Sequence, residues 1–399
     1  MHKAFKTELQ VNKAQEQLLR QHVGARRFVY NWMLAECIAA RDRGEKRPSA
    51  FTLTKRFRSE IRPNLDWYKG IISTRTEEGA ARDLNQAFQD FFRRCKQGKG
   101  KKGFPKFQRR KEYSGSFATF GYIRSTTNSV TIERVGKLTL KEHGYIPDNI
   151  RITSATISQR AGRWFISALC DVEIEQYQPN NEVAGVDLGI SHALIISDGT
   201  FIDSPKPLKN HLRKLRKLNK SLARKTIGSN RRRKAILALS KEHYKISNIR
   251  KDFIHKATSY LVKTKQVICL EDLNVLGMMK NHNLAQTIGD IGFYEIRRQL
   301  EYKALWRGRE IIFVDRFYPS SKTCSNCGSV ASKMPLSVRE WQCPSCVAIH
   351  DRDLNAARNL ELFAMNHMEN SNARGVGSSS DGTLSGQPDD ETRIQNYLE

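Results

Sequence analysis

No run in the chain approaches the roughly 18–20 apolar residues that a membrane helix needs. The opening Met1-His-Lys-Ala-Phe-Lys-Thr-Glu8 also lacks the apolar core of a secretory leader. Both absences predict a soluble, cytoplasmic protein with no membrane partner. Acidic residues are scarce: 41 Asp and Glu stand against 68 Lys and Arg in 399 residues, a net charge of +27. An imbalance of that size suits a polyanion, so nucleic acid is the expected partner. The excess is concentrated, with 18 basic residues from Lys206 to Lys256 against only Glu242 and Asp252. Cysteines are few outside one cluster. Cys37, Cys95, Cys170 and Cys269 are scattered in helix-like or strand-like apolar patterns, as reduced core thiols of a reducing compartment would be. Internal repeats are absent. The last stretch, 368–399, has so few apolar residues that a disordered tail is expected.

Hydropathy patterning divides the rest. Residues 3–11 read as a strand, and Asn12 with Gln15 has the spacing of a reciprocal helix cap. Apolar residues at helical spacing follow through Leu19, Val23, Val29 and Met33, and again from about Thr76 to Cys95. The segment Lys96–Phe107 combines glycines with five lysines and two aromatics, a composition suited to phosphate contacts with some stacking, or to a solvated linker. From Tyr113 to Gln178 the period changes to strands, clearest in Trp164, Ile166, Ala168, Cys170 and Val172 after an Ala161-Gly162 turn. A small β-barrel is expected there. After Asp198-Gly199 comes the basic stretch, read as two antiparallel helices interrupted near Gly228. An amphipathic helix is expected from about Ile288 to Arg307 and a last one from about Asp353.

Asp187 closes the apolar run Val183-Ala-Gly-Val-Asp187, where an unpaired carboxylate costs several kcal/mol. No Lys or Arg lies nearby in sequence, so a bound cation is the expected partner. The elements from Val183 on run strand, strand, short strand, helix, strand, helix, strand, helix, which is the layout of a ribonuclease-H-like mixed sheet flanked by helices. That layout would bring Asp187, Glu271 at the end of the fourth strand and Asp353 at the start of the last helix to one sheet edge. Three such carboxylates are hard oxygen ligands suited to Mg²⁺. Two ions about 3.5–4 Å apart would support in-line attack of water on a phosphodiester. Singly, Glu271 reads as a strand-end charge and Asp353 as a helix cap. Their neighbours Asp272 and Asp351 are alternatives.

Cys324-Ser-Asn-Cys327 and Cys343-Pro-Ser-Cys346 have the spacing of a four-thiolate zinc site, closed and structural. Disulfides are the alternative that a reducing compartment disfavours. Gly328 follows the first pair but Val347 follows the second, so a turn requiring positive φ would strain Val347.

With these residues in view, the chain resembles the TnpB (OrfB) proteins of bacterial insertion sequences, relatives of the compact type V CRISPR effectors. The resemblance rests on Gly24-Ala-Arg-Arg-Phe-Val-Tyr-Asn31, Gly103-Phe-Pro-Lys-Phe107, Gly185-Val-Asp-Leu-Gly189, Arg250–Lys256, Glu271-Asp-Leu273, Tyr318–Gly328 and His350-Asp-Arg-Asp-Leu-Asn-Ala-Ala357. It implies a multidomain α/β protein: a β-barrel-like wedge (1–11 and 113–178), a helical recognition domain (12–112), and a ribonuclease-H-like RuvC nuclease domain (182–321 and 349–367). A four-cysteine zinc ribbon (322–348) is inserted in the last. It implies that Asp187, Glu271 and Asp353 hold two Mg²⁺ ions, in preference to Asp272 and Asp351, and that Cys324, Cys327, Cys343 and Cys346 hold one Zn²⁺. The activity implied is RNA-guided cleavage of double-stranded DNA beside a short motif, with a guide RNA from the transposon end. A cleavage-deficient DNA-binding regulator and a DNA transposase are the alternatives.

Overall fold

β1 (His2–Gln10) is followed directly by the cap its sequence predicts. The Asn12 side chain accepts from the Gln15 backbone N–H, and the Gln15 side chain accepts from the Asn12 N–H. The chain is described here by a computed structural model covering residues 1–98, 103–110, 113–332, 334–335 and 337–375, with side chains to 370. Lys99, Lys101 and Lys102 of the expected phosphate-contacting segment, and the expected tail beyond Gly375, lie outside the described residues. Two units are formed: Met1–Glu175 with Pro205–Asp252, and Gln176–Ser204 with the residues from Phe253 on.

In the first unit, α1 (Lys13–Asp42), α2 (Ala50–Arg56) and α3 (Thr74–Gln97) share one apolar core. Val29, Met33, Leu53, Phe57, Tyr68 and Leu84 are among its fully buried members. β1 joins β2 (Ser114–Phe120), β3 (Arg124–Thr126), β4 (Ser129–Ile132), β5 (Gly136–Leu140), β6 (Ile152–Arg160) and β7 (Arg163–Asp171) in one antiparallel sheet. Its order is β2-β6-β7-β1-β5-β4-β3. Phe117 of β2 and Val130 of β4 meet Leu9, Ile157 and Ile166 in a single core, so the sheet wraps around its own side chains. Its edges β2 and β3 do not pair with each other among the described residues, so the sheet curls around a core without closing. Ala161 and Gly162 both have positive φ, 53° and 79°, the conformation a two-residue hairpin needs between right-twisted strands.

The basic stretch forms α4 (Pro207–Ala223) and α5 (Asn230–Thr264), of which the part to Asp252 belongs to this unit. Arg232 donates to the Leu222 carbonyl at 3.0 Å, and the buried Glu242 binds Lys214 Nζ at 2.6 Å and His211 Nδ1 at 2.5 Å. The end of α4 therefore lies by the start of α5, and its start by α5's middle, as an antiparallel hairpin.

The second unit is built on β8 (Val183–Asp187), β9 (Leu194–Ile196), β10 (Phe201–Ile202), β11 (Val267–Glu271) and β12 (Glu310–Val314), in the order β10-β9-β8-β11-β12. β8, β11 and β12 are parallel, while β9 and β10 run antiparallel to their neighbours. Between β11 and β12 lie α6 (Val275–Met278), α7 (His282–Ile291) and α8 (Phe293–Arg307). Ile268 and Leu270 pack with Phe293, Ile296 and Leu300 on one face, and Val267 and Cys269 with Leu360 and Ala364 on the other. Burial on both faces is why these parallel strands read as continuous apolar runs. The single helix expected from about Ile288 is broken at Gly292, whose φ of 84° cannot continue a helix. β13 (Glu340–Gln342) and β14 (Ile349–Asp351) form a small hairpin, and α9 (Arg352–Gly375) follows, running past residue 368 where the tail was expected to begin. No helix among the described residues is long and apolar enough to cross a membrane.

Candidate functional site

Asp187 is the last residue of β8, and its neighbour strand β11 is held in parallel register with Leu270 opposite Val186. One step further along each strand stand Asp187 and Glu271, side by side at the same sheet edge. α9 brings the third carboxylate. A Cβ built on Gly185 would lie 1.9 Å from the Ala357 carbonyl oxygen and 2.4 Å from the Glu361 nitrogen. Only hydrogen fits there, so α9 lies directly against β8 and its first turn carries Asp353 toward Asp187.

The electrostatics record this convergence. Burial pushes the Asp187 carboxyl up to about 8, and the Glu271 and Asp353 carboxylates push the same way, while Arg352 and the Leu188 N–H oppose them. Ser320, itself buried, donates a short hydrogen bond to Glu271 Oε1, and Arg339 pairs with Asp353 Oδ2 at 3.1 Å. The alternative acids are engaged elsewhere. Asp272 is held by Arg297 and Arg316, and Asp351 accepts from the Asp353 and Leu354 N–H groups, which makes Asp351 the cap of α9. Among the described residues, only the four cysteines bring their ligand atoms within 4.8 Å of one another. The three carboxylates are not all within that distance of one another.

Cys324, Cys327, Cys343 and Cys346 are all unbridged. Cys324 Sγ lies 3.6 Å from Cys346 Sγ, and Cys327 Sγ 3.6 Å from Cys343 Sγ. Four sulfurs about 2.3 Å from a tetrahedral zinc stand about 3.8 Å from one another, so the quartet fits such an ion and its spacing is far too wide for disulfides. The Ser329 hydroxyl and the Cys346 and Ser345 N–H groups hold the Cys343 thiol down to about 5, whereas burial pushes Cys324 up to about 12. The two knuckles repeat one backbone: the Gly328 and Val347 N–H groups donate to the Cys324 and Cys343 carbonyls, at 2.8 and 3.0 Å. Their φ angles are 77° and 61°, so Val347 does occupy the left-handed conformation its position requires.

The roles of several contributors were not visible in the sequence. Ser320 and His350 fall within the blocks Tyr318–Gly328 and His350–Ala357. Nothing in the sequence tells that Ser320 reaches Glu271 or that His350 Nε2 lies 3.0 Å from Cys324 Sγ, and Arg339 acts on Asp353 from a loop with no motif. Gly185 is legible as part of an apolar run and of the block Gly185–Gly189, but its packing role depends on a helix that starts 167 residues later.

Comparison with known proteins places these observations. Residues 167–282 match the OrfB family of IS605 elements, described as "Probable transposase", and residues 293–360 the "Cas12f1-like, TNB domain". Residues 1–46 match a "Helix-turn-helix domain", although here they form one strand and one 30-residue helix. A Streptomyces pristinaespiralis protein provisionally named an RNA-guided DNA endonuclease is 34% identical over 368 residues, covering 90% of this chain and 88% of that one. InsQ of Escherichia coli K12, with the same provisional name, is 29% identical over 375 residues, covering 90% and 91%. Among solved structures, Cas12f1 in its complex with sgRNA and target DNA shares the fold, with a TM-score of 0.56 at 16% identity over 88% of this chain and 83% of that one.

Proposed function

This chain belongs to the TnpB-like OrfB family of insertion-sequence proteins, and from that membership we propose that it is an RNA-guided DNA endonuclease of the RuvC type, cutting double-stranded DNA beside a short motif. The observation that carries the reading is the Asp187 carboxyl, pushed up to about 8 by burial and by two further carboxylates. Arg352 and Arg339 offset only part of the charge of three converging carboxylates, and hard divalent ions supply the rest. Asp187, Glu271 and Asp353 would hold two Mg²⁺ ions, which when bound supply an activated water and charge stabilisation for phosphodiester hydrolysis.

The chain's own residues prepare that site. Ser320 fixes one oxygen of Glu271 and leaves the other for a ligand. Arg339 neutralises Asp353 through a largely exposed pair of modest strength, about 0.2–1 kcal/mol, which a divalent ion readily displaces. The sheet order, with an antiparallel second strand beside three parallel ones, supports the ribonuclease-H-like layout. Cys324, Cys327, Cys343 and Cys346 would hold one structural zinc in the 322–348 ribbon, next to the turn that starts α9.

We assign 182–321 and 349–367, with the continuation of α9 through Met368, to the nuclease domain, 12–112 to recognition of the adjacent motif, and 1–11 with 113–178 to the grip on the guide. Base pairing then supplies the choice of sequence, and the charge of +27 holds the heteroduplex by its backbone. The guide would come from the transposon end, and the work would be done on the DNA of the cytoplasm. The test is to sequence the RNA that co-purifies with the chain, supply duplex DNA matching its variable end, and add Mg²⁺. Free cut ends that disappear on chelation are expected. Binding without cutting would favour a regulator, and strand-joined products a transposase.

A further inference from the structure

The proposed nuclease centre leaves unexplained a cavity of about 790 Å³ in the first unit, within the range of about 300–1,000 Å³ typical of ligand pockets. It is walled by α1 around Gly24 and Arg27, the loop carrying Arg109 and Arg110, and the β6–β7 hairpin with Gln159 and Trp164. Two independent features mark it. Arg27, Arg109 and Arg110 form no ion pair with an acid among the described residues, so three cations face the space without counter-charge. Gln159 and Trp164, only 6% and 2% exposed and paired across the hairpin, also line it, and Gln159 Nε2 and Trp164 Nε1 have no hydrogen-bond partner. A buried donor left unmatched costs about 1–3 kcal/mol. Two of them beside one cavity ask for acceptor atoms that the protein does not supply.

We propose that this cavity holds one unpaired nucleotide of the guide RNA, its phosphate against Arg27, Arg109 and Arg110 and an acceptor-bearing base edge against Gln159 and Trp164. The inference rests on the reading above that the chain carries a guide RNA. A phosphate matches the three guanidiniums. Carbonyl acceptors, which uracil, cytosine and guanine each present and which cytosine and guanine pair with a neighbouring ring nitrogen, match the two N–H donors. A base stacked and paired in a duplex cannot reach into a recess of this kind. Loops and ends of an RNA supply splayed bases before any target is bound, whereas DNA arrives as a duplex and offers unpaired bases only in the strand displaced by the guide.

Gly24 gives a variant that closes the cavity without harming the fold. A Cβ at Gly24 meets nothing within 4 Å, and glycine inside a helix is the least favourable ordinary residue, so Gly24→Phe fills open space while α1 gains propensity. The full chain, its Gly24→Phe variant and the Arg109→Ala/Arg110→Ala double variant are stripped of RNA. Each is then titrated with the RNA recovered from the wild type, carrying 4-thiouridine. Both variants are expected to bind about tenfold more weakly or worse, the loss of one well-held base. The wild type should crosslink through a peptide bearing Trp164, and Gly24→Phe should lose that crosslink. Equal RNA affinity in Gly24→Phe, or a crosslink at Trp164 from 4-thiothymidine in target DNA instead of from RNA, overturns the assignment. A wild type that co-purifies with no RNA overturns the proposed function as well, which separates the two failures.

Discussion

Asp187 was legible in the sequence as a charge at the end of an apolar strand, and the structure gives that oddity a measurable consequence. Its carboxyl sits at about 8 instead of near 3.8, so without metal the folded state holds a proton that the unfolded chain has released. Stability from this group is complete below the unfolded value and is lost as pH rises through about 8. Metal-free protein should therefore melt at a lower temperature at pH 9 than at pH 6, and Asp187→Asn should remove most of that slope while raising the midpoint at pH 9. A second residue-scale case is Val347, whose φ of 61° is a conformation that costs a β-branched residue about 1–2 kcal/mol. Val347→Gly relieves the strain but loosens the unfolded chain by about 0.5–1 kcal/mol, for a net gain of about 0.5–1 kcal/mol. In a chelator competition the variant should hold zinc about two- to fivefold more tightly; equal or weaker retention would show the turn to be unstrained. The roles of Ser320 and Arg339 could not be read in this way, because Ser320 is one polar residue among several in the block Tyr318–Gly328 and a lone Arg in a loop carries no periodicity and no spacing.

At the scale of elements, most of the second unit was readable because buried parallel strands and amphipathic helices leave strong patterns. Two boundaries were not. Gly292 looked like a tolerated glycine inside one helix, and only its positive φ splits α7 from α8. α9 passes into a Ser- and Asn-rich stretch because Phe363 and Met368 still pack on the sheet and each further turn adds to a helix already nucleated. The docking of α9 on β8 sets the site, and it hangs on Gly185. Gly185→Ala would drive a methyl into the α9 backbone, which cannot rotate away. Overpacking of that kind costs about 1–3 kcal/mol and displaces Asp353 relative to Asp187 and Glu271. DNA cutting should drop by about tenfold or more, since small misplacements at a reacting centre are expensive. RNA binding should be kept; if cutting proceeds at the wild-type rate, α9 does not position the third acid.

For the whole molecule, composition pointed to a polyanionic partner, and family membership together with the fold shared with Cas12f1 turns that into a specific activity to test. In the sheet of the first unit β1 and β7 were legible as strands, whereas β2, β3 and β6 were covered only by the general strand-like patterning from Tyr113 on, and whether the sheet closes depends on contacts between β2 and β3 that leave no local signal. The central claim is that Asp187, Glu271 and Asp353 serve hydrolysis and not recognition. Its most direct test compares the wild type with Asp187→Ala, each loaded with the same guide RNA, measuring cleavage of matched DNA at saturating Mg²⁺ beside equilibrium binding of that DNA. The account predicts at least about 100-fold slower cutting with binding changed by less than about twofold. Cleavage and binding lost in equal measure, or cutting at the wild-type rate, would contradict it.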